Sequence, residues 1–367
     1  NFENSIYFSN FKSELSKILT PKKKLIDIFM EKVLVTGATG YIGLHCVHQL
    51  LNEGYAVNGT LRSPSRKQEI IDALEKANTS TENLNLFVLD LTSDEGWDES
   101  MKGCDYVLHV ASPLSIGKTV EDFFIKPAVG GVNRAMHYAK KHQVKKVVLT
   151  SSVAAVFDSL DEKKYYDEND WSDIDSNKIT PYAKSKTLAE KSAWEFIGNL
   201  GEDEKFPLTV FCPYMVLGPA LSPDLGGTNV LVQMLTSGKL PGTPNIHLGI
   251  VDVRDVAQAH IDAISNQGSN NERFILCTSS FWLHEISQIL IKAGFTKAPK
   301  LRLPNFVLRF AALFSATAKE SVRMLGDPQF LSNEKVKTIL NWQPRPVEET
   351  LVDTAKSLED QDQISIP

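Results

Sequence analysis

From residue 32 onward, short apolar runs alternate with longer stretches in which apolar residues recur every three or four positions. That change of period predicts strands and helices in turn. Residues 32–36, 56–61, 84–89, 107–111, 144–150 and 208–212 read as strands, and 41–54, 65–77 and about 127–142 as helices. Strand–helix alternation argues for βαβ units around a parallel sheet, and right-handed crossovers make it doubly wound. The pattern changes after Gly218-Pro219. Residues 222–227 and 238–245 are turn-rich, 251–265 reads as a short strand and a helix, 274–277 as a strand, and 282–293 as a helix. The stretch 306–325 is apolar with helical period and is expected to form core of the smaller lobe, with a pocket wall or lid as the alternative for part of it, and 333–340 and 346–357 read as closing helices. The predicted fold class is therefore α/β: a doubly wound parallel sheet of the Rossmann kind, with a smaller mixed α/β C-terminal lobe.

Three glycines, Gly37, Gly40 and Gly43, stand between the first strand and the first helix in VTGATGYIG. The first permits a tight turn, the second lets backbone approach a pyrophosphate, and the third allows close helix packing. The helix N-terminus offers free N–H groups to phosphates. The spacing is G-x-x-G-x-x-G, and its position at the head of a βαβ unit is what makes it a dinucleotide signal. At the end of the second strand, where an acid would bind the ribose hydroxyl of NAD, stands Arg62, 25 residues after Gly37 (62 − 37). A guanidinium there can grip a 2′-phosphate, with Arg66 and Lys67 adding charge, so the expected cofactor is NADP(H). Asp90 and Leu91 follow the third strand, in position to flank an adenine. Val110, Ala111 and Ser112 close the fourth, where small residues would let a nicotinamide riboside lie near the backbone.

Composition narrows the partners. Among 367 residues the hydrophobic fraction is 42% and the charged fraction 23%, with a net charge of −6, ordinary values for a globular protein. No basic patch suggests nucleic acid, and no apolar run reaches the roughly 18 residues of a membrane span. Cys46, Cys104, Cys212 and Cys277 are dispersed, which argues against zinc or a disulfide framework and fits a reducing, cytoplasmic setting. His45 and His48 lack companion ligands, so no metal site is expected. The chain begins at Asn1; residues 1–29 are expected to be a poorly ordered extension, with Met30 a candidate start.

Tyr182 and Lys186, in PYAKSK, lie four apart on a helix that Pro181 can open. A free tyrosine has a pKa near 10. A nearby ammonium would lower it, letting Tyr182 pass a proton to a carbonyl oxygen. The fifth strand ends in Ser151-Ser152, and a hydroxyl there could polarise that oxygen.

Taken together, TGATGYIG, the serine pair and YAKSK resemble the extended short-chain dehydrogenase/reductases. TLRSP, GCDYVLHVASP, VVLTSSVAAVF and VDVRDVAQAH are similar to the group of dihydroflavonol 4-reductases, cinnamoyl-CoA reductases and fungal aldehyde/ketone reductases, over about residues 31–345. The resemblance implies NADPH-dependent reduction of a carbonyl by a Ser–Tyr–Lys triad. Its catalytic serine maps to Ser152, with Ser151 as the alternative. Its cofactor contacts map to Gly37, Thr39, Gly40, Tyr41, Ile42, Gly43, Arg62, Asp90, Leu91, Val110, Ala111, Ser112, Tyr182, Lys186, Pro213 and Val216, and Thr228 matches a further polar contact. Residues 30–217, with 246–265 returning to them, would then hold NADP, and 218–367 the substrate. The chain departs from the group at Phe157, where flavonoid reductases usually carry a polar residue, and lacks the N-W-Y-C-Y signature of cinnamoyl-CoA reductases. The rival readings are a nucleotide-sugar epimerase or dehydratase, a 3β-hydroxysteroid-type dehydrogenase, and a non-catalytic NADP-binding sensor. Arg254-Asp255 suggests a structural ion pair and His260 a packed residue. Monomer and homodimer remain equally open.

Overall fold

The computed structural model describes residues 30–113, 120–158, 163–326 and 328–364; the segment 1–29 lies outside them. Among the described residues, seven parallel strands form the main sheet, in the order β10-β7-β5-β4-β1-β2-β3. They are β1 (Lys32–Thr36), β2 (Ala56–Leu61), β3 (Leu84–Val88), β4 (Tyr106–His109), β5 (Lys146–Thr150), β7 (Leu208–Pro213) and β10 (Glu272–Leu276); β6 (Tyr165–Tyr166) lies outside this sheet.

Strands buried on both faces need apolar residues at successive positions, and the central strands supply them. Val33 and Val35 of β1 face one core with Val148 of β5, while Leu34 faces the other with Val147 and Leu149. The first core is closed by helices α1 (Tyr41–Asn52) and α2 (Lys67–Lys76), and by α7 (Val253–Ser265). The second is closed by α3 (Trp97–Met101), α4 (Glu121–Lys141) and α5 (Pro181–Gly198). Fully burying an aliphatic side chain stabilises by roughly 1.5–3 kcal/mol, so the sheet is held from both sides.

The smaller lobe has a mixed three-stranded sheet. In it β9 (His247–Asp252) lies between β8 (Met215–Leu217), parallel, and β11 (Ser279–Trp282), antiparallel. Helices α6 (Gly226–Thr236), α8 (Leu283–Lys292) and α12 (Val347–Asp360) pack on it through Val232, Ile286 and Leu351. Helices α9 (Asn305–Ala311) and α10 (Ala316–Val322) complete the lobe, α11 (Glu334–Leu340) returns to the first core of the main sheet through Val336 and Leu340, and β12 (Phe330–Leu331) pairs with β6.

Several boundaries differ from the periodicity. Helix α4 starts at Glu121, six residues before the expected start at Pro127, and carries Pro127 inside it. Strand β4 stops at His109, because the N–H groups of Val110 and Ala111 both donate to Thr36 Oγ1, each at 3.1 Å. The largest difference is at 306–325. It is two short helices, and its large apolar residues are not core: Phe306, Phe310, Leu313 and Phe314 are 71, 64, 73 and 79% exposed, although Leu308 packs on the lobe's interior. Periodicity identifies an apolar face; whether another element covers that face is a tertiary matter. Arg254 and Asp255 also do not pair with each other. Arg254 binds Asp252 at 2.7 Å and Asp353 at 2.9 Å, and Asp255 accepts from Arg345.

The exposure of this stripe can be checked directly. Phe310→Ser with Phe314→Ser should move folding stability by less than about 0.5 kcal/mol per site in urea denaturation. A loss of about 3–5 kcal/mol, as for a buried phenylalanine, would mean that the stripe is covered.

Candidate active site

Because the main sheet is parallel, the C-terminal ends of its strands lie along one edge, where doubly wound folds bind ligands. The turn after β1 is built by steric necessity. Gly37 has φ +73°, and a Cβ there would come within 3.1 Å of Ala111. A Cβ on Gly43 would meet the Gly37 carbonyl oxygen at 2.2 Å. Gly40 caps α1 in extended conformation without a side-chain bond to the first-turn amides. The bare helix N-terminus and the absence of side chains make a cradle for a pyrophosphate. Thr39 lends its carbonyl to Arg66 at 3.4 Å, and Ile42 is half-buried. The Tyr41 side chain is turned away from the cradle: its hydroxyl donates to the Gly218 carbonyl at 2.8 Å, and its ring lies against Gly226.

Arg62 is exposed just past β2. Arg66 is taken up by Glu69 at 2.6 Å and Asp224 at 3.1 Å, so of the two it is Arg62 that is presented to an incoming anion. Asp90 accepts from the Thr92 N–H and hydroxyl at 2.7 and 2.5 Å, which holds its carboxyl below the usual range. The Leu91 side chain packs against Gly131. Val110, Ala111 and Ser112 lie half-buried just past the end of β4. Pro213 ends β7, and Val216 is buried in β8, its carbonyl accepting from Thr228. Every one of these positions except Val216 and Thr228 lies at, or just after, the C-terminal end of a main-sheet strand.

Ser152 leaves β5 in extended backbone and caps a short turn, its hydroxyl accepting from Ala154 N–H at 3.2 Å. Tyr182 is in the first turn of α5, which Thr180 caps by accepting from Ala183 N–H at 3.1 Å. The Tyr182 hydroxyl is hydrogen-bonded to Ser152, so the serine and tyrosine meet. Lys186, one turn further, is buried and donates to the Thr150 carbonyl at 3.2 Å. Ser151 is separate: its hydroxyl donates to Glu190 at 2.5 Å. Between the two adjacent serines, Ser152 is the one that faces the tyrosine.

The electrostatics differ from expectation in one respect. Tyr182 is raised above the ordinary tyrosine value by burial, with the Ser152 hydrogen bond opposing, rather than lowered by Lys186. Burial lowers Lys186 to about 8. Desolvation disfavours the charged form of each group, so at neutral pH Tyr182 holds its proton and Lys186 is mostly charged.

Sequence reasoning missed the polar residues behind the triad. Thr36 Oγ1 accepts two backbone N–H groups, so its own proton goes to His109 Nδ1 at 2.9 Å. His109 is then neutral, with its pKa lowered to about 3 by burial and the Lys186 charge. His260, packed as expected, donates from Nδ1 to the Val256 carbonyl and accepts the Thr150 hydroxyl proton at Nε2, each at 2.7 Å. The signal available was a polar residue ending an otherwise apolar strand. His45 and His48 bind Pro219 and Thr79, and among the described residues no His, Cys, Asp and Glu cluster could hold a metal. No helix among the described residues is long and apolar enough to cross a membrane.

The chain as a whole is similar to known proteins. The family model "NAD dependent epimerase/dehydratase family" matches residues 33–277. The chain belongs to this family, the extended short-chain dehydrogenase/reductases. It is an oxidoreductase, and several of its relatives are reductases. Cinnamoyl-CoA reductase 2 of Arabidopsis thaliana is 32% identical over 339 residues, covering 91% of this chain and 94% of that protein. An anthocyanidin reductase of Vitis vinifera is 33% identical, covering 74 and 82%. Among solved structures, yeast methylglyoxal/isovaleraldehyde reductase Gre2 complexed with NADPH aligns with TM-score 0.75 and 30% identity, over 91% of this chain and all of that one (100%).

The cradle makes its own prediction. Gly43→Ala must displace the Gly37 carbonyl, which costs about 1–3 kcal/mol; a lower thermal midpoint and weakened dinucleotide binding by fluorescence titration should appear together. An unchanged midpoint would show that the turn has slack.

Proposed function

We propose that the protein is an NADPH-dependent reductase that converts an aldehyde or ketone to its alcohol. The observation that carries this reading is the meeting of Ser152 and Tyr182 one helical turn from buried Lys186, on the same sheet edge as the Gly37–Gly43 cradle. The cradle suits a dinucleotide because side chains are sterically barred from it, and exposed Arg62 suits a 2′-phosphate. When bound, NADPH supplies the hydride. Ser152 donates a hydrogen bond to the substrate oxygen and holds it beside Tyr182. Tyr182 gives that oxygen its proton, and the Lys186 charge stabilises the phenolate left behind. Residues 30–217 with 246–265 would hold the cofactor and 218–367 the substrate.

The reductase names of the relatives support this reading over a nucleotide-sugar enzyme. A sugar diphosphate needs basic groups in the second lobe, and residues 219–245 carry only Lys239. Phe157 stacks on Tyr166 at 4.9 Å and lies 5.8 Å from Tyr214. This aromatic wall favours an apolar carbonyl compound over a polyhydroxylated ring.

NADPH oxidation against aldehydes, diketones and flavanonols, repeated with NADH, tests the reading. Tyr182→Phe should lower turnover by about 10²–10⁴-fold while leaving NADPH fluorescence quenching intact; turnover at the wild-type rate would remove the tyrosine from the mechanism. Arg62→Ala should raise KM for NADPH far more than for NADH. Because Lys186 is charged below about 8, kcat/KM for NADPH, which reports the free enzyme, should fall as pH rises through that value.

A further inference from the structure

Beneath the triad lies a charged pair that the proposed reaction does not touch. Glu190 is one turn below Lys186 on α5, and its side chain is fully buried (0% exposed). Arg273, on β10 at the sheet's edge, donates to it from Nε at 2.6 Å and Nη2 at 3.3 Å. Arg273 is itself held by the carbonyls of Glu168 and Asp170, at 3.0 and 2.6 Å, and lies 3.9 Å over the Trp171 ring. A buried ion pair is a weak source of stability, so its presence beside the triad calls for another reason.

Two contacts supply one. Ser151 donates to Glu190 at 2.5 Å, and Ser151 immediately precedes Ser152. Successive residues in extended backbone point oppositely. Anchoring Ser151 downward on Glu190 therefore presents Ser152 upward to Tyr182. Glu190 is also the charge that faces Lys186. The other titratable groups around that ammonium are neutral: His109 from β4 is deprotonated, Cys212 from β7 is kept a thiol by burial, and Tyr182 holds its proton. Lys186 and Glu190 line the same small void, together with His109 and Ser151.

We propose that Glu190, paired with Arg273, is a positioning residue that orients the serine pair and keeps Lys186 charged at the pH of catalysis. The inference rests on the Ser–Tyr–Lys reading above. Burial lowers Lys186, and Cys212 and Glu190 oppose that effect; with burial keeping Cys212 a neutral thiol, Glu190 is the opposing group that remains. A nearby opposite charge favours the charged form of an amine. Without the carboxylate, Lys186 would lose its proton at a lower pH.

The test is the pH profile of kcat/KM for NADPH in Glu190→Gln, and in Glu190→Gln with Arg273→Met. The second variant removes both charges, so that no guanidinium is left buried and unpaired if the first fails to fold. The alkaline limb should move down by about one unit or more, with the rate below the limb recovering toward wild type. A lower rate at every pH with an unmoved limb would reduce Glu190 to scaffolding and overturn the proposal, as would a wild-type profile. Tyr182→Phe and Lys186→Met, run alongside, separate the two layers. If both keep wild-type turnover, the triad reading fails; if both are inactive and the Glu190 variants titrate like wild type, only this inference fails.

Discussion

Seven strands running the same way put every strand's C-terminal end on one edge, and the rest of the molecule answers to that constraint. The turn after β1, the loops after β2, β3 and β4, and the serine pair after β5 all arrive there because no strand reverses. The site is therefore assembled from residues far apart in sequence and needs no long loop to bring them together. What remains is to keep the edge polar yet dry beneath. Thr36, Thr150 and His260 do this by spending their hydrogen bonds on a buried neighbour or on backbone, while His109 accepts at Nδ1 and keeps a buried Nε2 without a partner among the described residues. Buried polar groups left unpaired would each cost about 1–3 kcal/mol.

The charges below the edge follow the same logic. Lys186 sits where burial would neutralise an isolated amine, and its neighbours are arranged so that a single carboxylate opposes that tendency. The carboxylate is balanced by Arg273, and Arg273 by two carbonyls and an indole face. The arrangement runs from the triad, along α5 to the sheet's edge, and on to the 168–171 segment.

Much of this could be read from residues alone, and the reasons are local. Gly37, Gly40, Gly43, Tyr182 and Lys186 have spacings set by one turn or one helix, so chemistry and geometry are visible together. The strands of the main sheet were legible because burial on both faces demands continuous apolar runs. Of the small sheet only the end of β9 was legible, in the short strand read from 251; β8 and β11 were not, since they have three and four residues each and follow main-sheet strands closely. Glu190 and Arg273 are 83 residues apart, and nothing in their local patterns distinguishes a buried partner from a solvated one. The stripe around Phe310 failed for the opposite reason: its pattern was clear, but exposure depends on what the remainder of the chain leaves uncovered.

The junctions between the two sheets carry a mechanical consequence. β8 begins one residue after β7 ends, α7 begins directly after β9, and β11 begins two residues after β10. All three strands of the small sheet are thus near-continuations of elements packed into the large one, and the backbone between them has almost no free dihedral angles to bend. A clamshell motion of one lobe against the other has no hinge at these three crossings. The spacing between the two sheets is consequently fixed by the framework and not by how far the lobes open.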